Sequence, residues 1–150
     1  MRLLNCRIAL VLLVATFCFG RQAPRPDDTV FSDAVAEKAM NTLRNGLIGH
    51  SPDLMLSAFD RDKMAGYNAF ADQVRALFEQ YDSFRVYAHI IHSSVENGRG
   101  IVSLQFEMDK TPRDPTVPAI RKSGELQLEM EHSAKGWKIV DLRPRGFFTN

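Results

Sequence analysis

The sequence predicts an α+β domain of three N-terminal helices packed on a four-stranded antiparallel sheet. Between Phe31 and Tyr81 apolar residues recur at three- and four-residue spacing, the period of a helix face; from Phe84 to Leu142 they alternate, the period of a strand. The two regimes do not interleave. Helices that all precede the strands cannot serve as crossovers of a parallel sheet, so they are expected together on one face of an antiparallel one.

Each element follows from its residues. Phe31, Val35, Ala39, Leu43 and Leu47 form the apolar stripe of a first helix, flanked by Ser32, Asp33, Glu37, Lys38 and Arg44, with Asn45-Gly46 and Gly49 marking its end. Ser51-Pro52-Asp53 starts a second, short helix that runs on toward Phe59. Its serine hydroxyl can accept from an orphan amide, its proline sits where no donor is needed, and its acid complements the helix dipole. After Asp60-Arg61-Asp62, Phe70, Val74, Leu77, Phe78 and Tyr81 give the stripe of a third helix.

At Tyr81-Asp82-Ser83 the period changes. Phe84, Val86, Ala88 and Ile90 make the apolar face of a first strand, and Asn97-Gly98 tolerates the positive φ of a tight hairpin. Val102, Leu104, Phe106 and Met108 continue that face on a second strand. Lys110 to Ala119 is expected to be a rim loop, because Pro112, Pro115 and Pro118 cannot donate to a ladder. Leu126, Leu128 and Met130 mark a third strand, and Gly136 to Leu142 a fourth, limited by Pro144.

Residues 1–20 read as a secretory signal peptide: Arg2 and Arg7, then an apolar run from Ile8 to Phe19, then Gly20. That run is shorter than the roughly 20 apolar residues of a membrane-spanning helix. The expected location is therefore outside the cytoplasm, periplasmic or extracellular, with no membrane association once the leader is cleaved. Residues 21–28, with Pro24 and Pro26, read as a flexible tether, and 29–148 as one domain. Both cysteines, Cys6 and Cys18, lie in the leader, so the exported domain has neither disulfide nor thiolate ligand. The chain carries a net charge of +1, and loss of Arg2 and Arg7 with the leader leaves a nearly neutral domain. Nucleic acid is not an expected partner, since the densest basic groups are only Arg121-Lys122 and Arg143-Pro144-Arg145.

The element order, the short helix ending in Ala58-Phe59-Asp60 and the closing Gly136-Trp137-Lys138-Ile139 together resemble the nuclear transport factor 2-like superfamily, also called polyketide cyclase-like, from Thr29 to about Phe148. The resemblance implies a curved sheet wrapped around the first helix as a cone, an apolar pocket open at one end, and a homodimer formed through the sheet. The strand usual in that family between the second and third helices is poorly marked in Asp60 to Gly66. The superfamily includes isomerases, dehydratases, epoxide hydrolases and non-catalytic binding modules, so its fold alone does not select a function.

Catalytic members place acids, histidines or tyrosines inside the pocket, whereas here the inward positions are nearly all Val, Leu, Phe, Met and Ile. No catalytic residue, cofactor motif or metal motif is therefore assigned. Phe59, Tyr67, His92 and Phe106 are the expected ligand-binding residues. His92 is included because strict alternation puts it on the face of Phe84, Val86, Ala88 and Ile90, at the cone's mouth; the same alternation sends His89 to the other face, so the two histidines cannot share an ion. Tyr67 and Tyr81 bracket the third helix, and Asp60 and Asp62 read as a solvated turn. Phe147-Phe148 is the apolar oddity, expected either to fold back onto the first helix or to anchor a second subunit.

The leading expectation is non-catalytic binding of an apolar small molecule or a protein segment in a cone-shaped pocket. The first alternative is a cofactor-free lyase, isomerase or cyclase using Tyr67, His92 and Asp60 on an apolar substrate. The second is a structural dimerisation module.

Overall fold

The computed structural model describes residues 29–148, so the expected signal peptide and tether lie outside the described residues. Three helices, α1 (Asp33–Ile48), α2 (Pro52–Leu56) and α3 (Tyr67–Gln80), precede four strands, β1 (Tyr81–Glu96), β2 (Arg99–Pro112), β3 (Ile120–Ser133) and β4 (Gly136–Arg143). A 3-10 helix, η1 (Arg145–Phe148), closes the described chain. The strands pair antiparallel in the order β1-β2-β3-β4, which is the expected α+β meander.

The concave face of this sheet is the core. Val102, Leu104, Phe106, Met108, Leu126, Leu128, Met130, Ile139 and Leu142 are entirely buried beneath the helices. Each contributes about 1.5–3 kcal/mol of transfer free energy. From the helix side come Ala36, Leu43, Leu47, Met55, Val74 and Leu77.

Several local signals act as read. Ser51 Oγ accepts from the Leu54 amide at 3.3 Å, capping α2 with Pro52 in the first turn. Asn97 and Gly98 take φ of 51° and 78° in the β1–β2 hairpin. Asp60 Oδ1 accepts from the amides of Asp62 and Lys63 at 3.0 and 3.1 Å, which is the turn expected there.

Three expectations are corrected and one weak signal is explained. Helix α1 runs through Asn45-Gly46 to Ile48 and ends at Gly49, because Gly46 is the point where α2 crosses it, not a stop. Strand β2 extends through Lys110 to Pro112, whose missing donor costs little at the last pair of the ladder, opposite Tyr81. The strand unmarked between α2 and α3 survives as one parallel bridge, Phe59 to Ile139: the Ile139 amide donates to Ala58 O at 2.9 Å and the Asp60 amide to Ile139 O at 2.8 Å. It caps the β4 edge. Phe147 and Phe148 neither lie on α1 nor face solvent; η1 inserts them under the sheet, edge-on to Phe106 at ring-centroid distances of 5.5 and 5.6 Å.

Candidate functional site

A β-bulge decides where His92 goes. On β1, Ile90 pairs with Leu104 but His92 pairs with Ser103, so Ile91 is the extra residue and the inward–outward alternation reverses beyond it. His92 is therefore exposed on the outer face, in register with Ser103 and Gln127, while Ser93 takes the inward position opposite Val102. The Ser93 hydroxyl bonds Asp33 at the start of α1. The expected inward aim of His92 is corrected, and so is the expected separation from His89, which pairs with Gln105 on that same outer face. Among the described residues, no three His, Cys, Asp or Glu side chains gather as a metal site would require.

Phe106 sits at the centre of the concave face but meets rings where a pocket was expected. Phe147 and Phe148 pack perpendicular to it at 83° and 86° and to each other at 5.3 Å, the edge-to-face geometry that aromatic quadrupoles favour. Two side chains hold η1 in place. Lys122 Nζ donates to Gly146 O at 3.0 Å and lies over the Phe147 ring; Arg145 donates to Ala65 O at 2.6 Å and to Asp141 Oδ1 at 2.7 Å. Burial, reinforced by neighbouring Lys110, pushes the Lys122 ammonium pKa down.

Phe59 and Tyr67 do come together. They line a cleft of about 640 Å³ at the β4 edge, between the α2–α3 connection and the turn joining β3 to β4. Phe59 belongs to the core, tilted against Phe70 at 4.8 Å, and Tyr67 is half-buried beside it. Two lysines build the wall. Lys63 Nζ reaches Glu131 at 2.8 Å, and Lys138 Nζ donates to Ser57 O at 2.6 Å. Of the four residues expected to bind a ligand, two share this cleft, one is enclosed in the core and one is on the outer face. The cleft's polar rim was hard to foresee, because it is assembled by the Phe59–Ile139 bridge, and neither residue alone signals that pairing.

Tyr67 and Asp60 line this same cleft, but His92 does not join them: it is on β1, at the sheet edge opposite β4, and the Asp60 carboxylate is used in its own turn. The carboxyls with displaced pKa are shifted by structural partners. Arg121 holds Asp109 below its usual range, and Lys63 does the same for Glu131. Burial pulls Asp141 upward, but hydrogen bonds from Arg145 and Arg143 outweigh it and leave it low.

These depressions have a testable sign. A carboxyl whose folded pKa lies below its unfolded value of about 4 contributes stability above that value and loses it as pH falls through the folded pKa. The thermal midpoint is expected to drop as pH falls below about 4. Asp141→Asn should flatten that drop; a midpoint equally steep in wild type and variant would refute the assignment.

No family model matches the sequence, and neither does any curated protein. Solved structures do match. A conserved protein of Planctomyces limnophilus superposes with a TM-score of 0.65 at 10% identity, covering 73% of this chain and 91% of that one. A nuclear transport factor 2-like superfamily protein of Salmonella enterica gives 0.63 at 12% identity, covering 73% and 89%. A candidate dehydratase of the same family from Streptomyces avermitilis gives 0.61 at 8% identity, covering 73% and 91%. Helices gathered on one face of a four-stranded meander, Phe59 bridged to the β4 edge, and these superpositions lead to one conclusion: the chain has the nuclear transport factor 2-like fold.

Proposed function

We propose that this protein is an exported, non-catalytic binding module that takes a small molecule with an apolar body in the Phe59–Tyr67 cleft at the β4 edge. The observation that carries this reading is the occupied interior. Phe147 and Phe148 fill the space in front of Phe106, and aromatic surface is offered instead where Phe59 and Tyr67 reach the edge of the sheet. A cleft of this size falls within the roughly 300–1,000 Å³ of small-molecule sites. Phe59, braced by the tilted ring of Phe70 behind it, gives the cleft an apolar contact, and the Tyr67 side chain supplies a hydroxyl for orientation. Separation of His92 from Tyr67 and Asp60, and engagement of the Asp60 carboxylate in its own turn, speak against the lyase alternative, because a general acid or base must reach the substrate within hydrogen-bond distance.

Titration with neutral naphthalene-class fragments, followed through backbone amide shifts, tests the reading. Shifts are expected to cluster at Phe59, Tyr67, Lys63 and Ala134 and to vanish in Tyr67→Ala while the remaining spectrum is kept. Shifts centred on Phe106, Leu126 and Phe148 would place the ligand in the interior and overturn it.

A further inference from the structure

On the other side of the β3–β4 turn lies a second cleft, about 470 Å³, between that turn and α1. Its charge composition sets it apart. Lys38, Lys135, Lys138 and His132 line it, and no carboxylate does. Elsewhere on this nearly neutral chain many cations are matched: Arg121 by Asp109, Arg99 by Glu129 and Glu131, Arg143 and Arg145 by Asp141, Lys63 by Glu131. The Phe59–Tyr67 cleft itself carries Asp53, Asp60 and Asp62 among its cations. Among the described residues Lys138 is held by a neutral carbonyl, Ser57 O, and no ion pair engages Lys138 or the exposed Lys38 and Lys135.

The floor of this cleft is apolar. Val35 and Ala39 of α1 face Trp137, which is clamped edge-on between Phe31 at 5.1 Å and His132 at 5.6 Å. An apolar floor under an unbalanced cationic rim complements one kind of ligand. We propose that this cleft binds an amphiphile with an anionic head, a carboxylate or a phosphate, its head among Lys38, Lys135 and Lys138 and its apolar body against Trp137 and Ala39. The inference does not rest on the Phe59–Tyr67 reading, since Lys38 and Trp137 line only the α1 cleft and Tyr67 only the other.

The chain has a single tryptophan, so its emission reports this cleft directly. Octanoate, octyl phosphate and octanol are titrated against Trp137 fluorescence in the wild type, in Lys38→Gln/Lys135→Gln and in Tyr67→Ala. Saturable changes are expected with octanoate or octyl phosphate, whichever binds tighter naming the head group. Octanol should bind far more weakly. The double variant should lose about fivefold or more in affinity, in keeping with two partly exposed charge contacts, and added salt should weaken wild-type binding. Tyr67→Ala should leave the titration unchanged. Equal binding of octanol, an unaffected double variant, loss of binding in Tyr67→Ala, or Trp137 emission unmoved by all three compounds would each overturn the inference.

Discussion

Truncating Phe148 to alanine is expected to remove about 3–5 kcal/mol of folding free energy, the cost of deleting a buried aromatic ring that its surroundings cannot replace. Phe148 has no exposed surface and meets Phe106 and Phe147 edge-on, so its removal empties the centre of the concave face. Domains of this size have only about 5–15 kcal/mol in hand, so the variant should be marginal at room temperature. Denaturant unfolding measures it. A loss under about 1 kcal/mol, the range of ordinary surface substitutions and small repacking, would mean that η1 is a loosely laid flap and that the interior is open to ligands.

Gly46→Ala is the second large effect, and its sign runs against helix propensity. Within α1, alanine would be favoured over glycine by about 1 kcal/mol. Position 46 is different because an added Cβ would fall 2.5 Å from the Met55 amide nitrogen and 2.6 Å from the Met55 Cα and Cβ. Two of these are backbone atoms of α2 and cannot swing aside. Carbon contacts settle near 3.5–4.0 Å, so α2 must back away from α1, carrying Met55 and Leu56 out of their packing. Overpacking of this kind costs about 1–3 kcal/mol, occasionally more, and the net effect is expected to be destabilising, with Gly46→Val worse than Gly46→Ala. Thermal midpoints of the two variants decide it; a stabilised Gly46→Ala would show that the helices do not cross at Gly46.

The same glycine shows what local reading can and cannot extract. Asn45-Gly46 looks like a helix stop because glycine is poor in helix interiors, and only a tertiary crossing explains why it is there. Periodicity served well wherever one face is buried throughout: the alternation of Val102 to Met108 and of Leu126 to Met130 matches the buried face of β2 and β3 residue for residue. It misled at Ile91, where one inserted residue reversed the alternation and carried His92 from the expected inner face to the outer one. Nothing in Ile90-Ile91-His92 signals that insertion, since a bulge is fixed by what the partner strand offers.

Of the candidate site, Phe59 and Tyr67 were legible as aromatic residues flanking the α2–α3 connection, but their meeting depends on the Ile139 bridge, eighty residues onward in sequence. Phe147-Phe148 was legible as an anomaly and not as an answer. Two adjacent aromatics beyond the last strand demand burial, and only the assembled sheet shows that Phe106 supplies it. The α1 cleft was illegible in a different way. Lys38, Lys135 and Lys138 look like ordinary solvated cations until the fold gathers them around Trp137 without an acid.

The chain's own aromatics, Phe147 and Phe148, occupy the hollow in front of Phe106. Nuclear Overhauser contacts between ring protons of Phe148, Phe147 and Phe106 in the folded protein test it most directly. Strong cross-peaks among all three rings, with chemical shifts displaced by ring currents, are the expected result. Rings of Phe147 and Phe148 that show random-coil shifts and no cross-peak to Phe106 would contradict it.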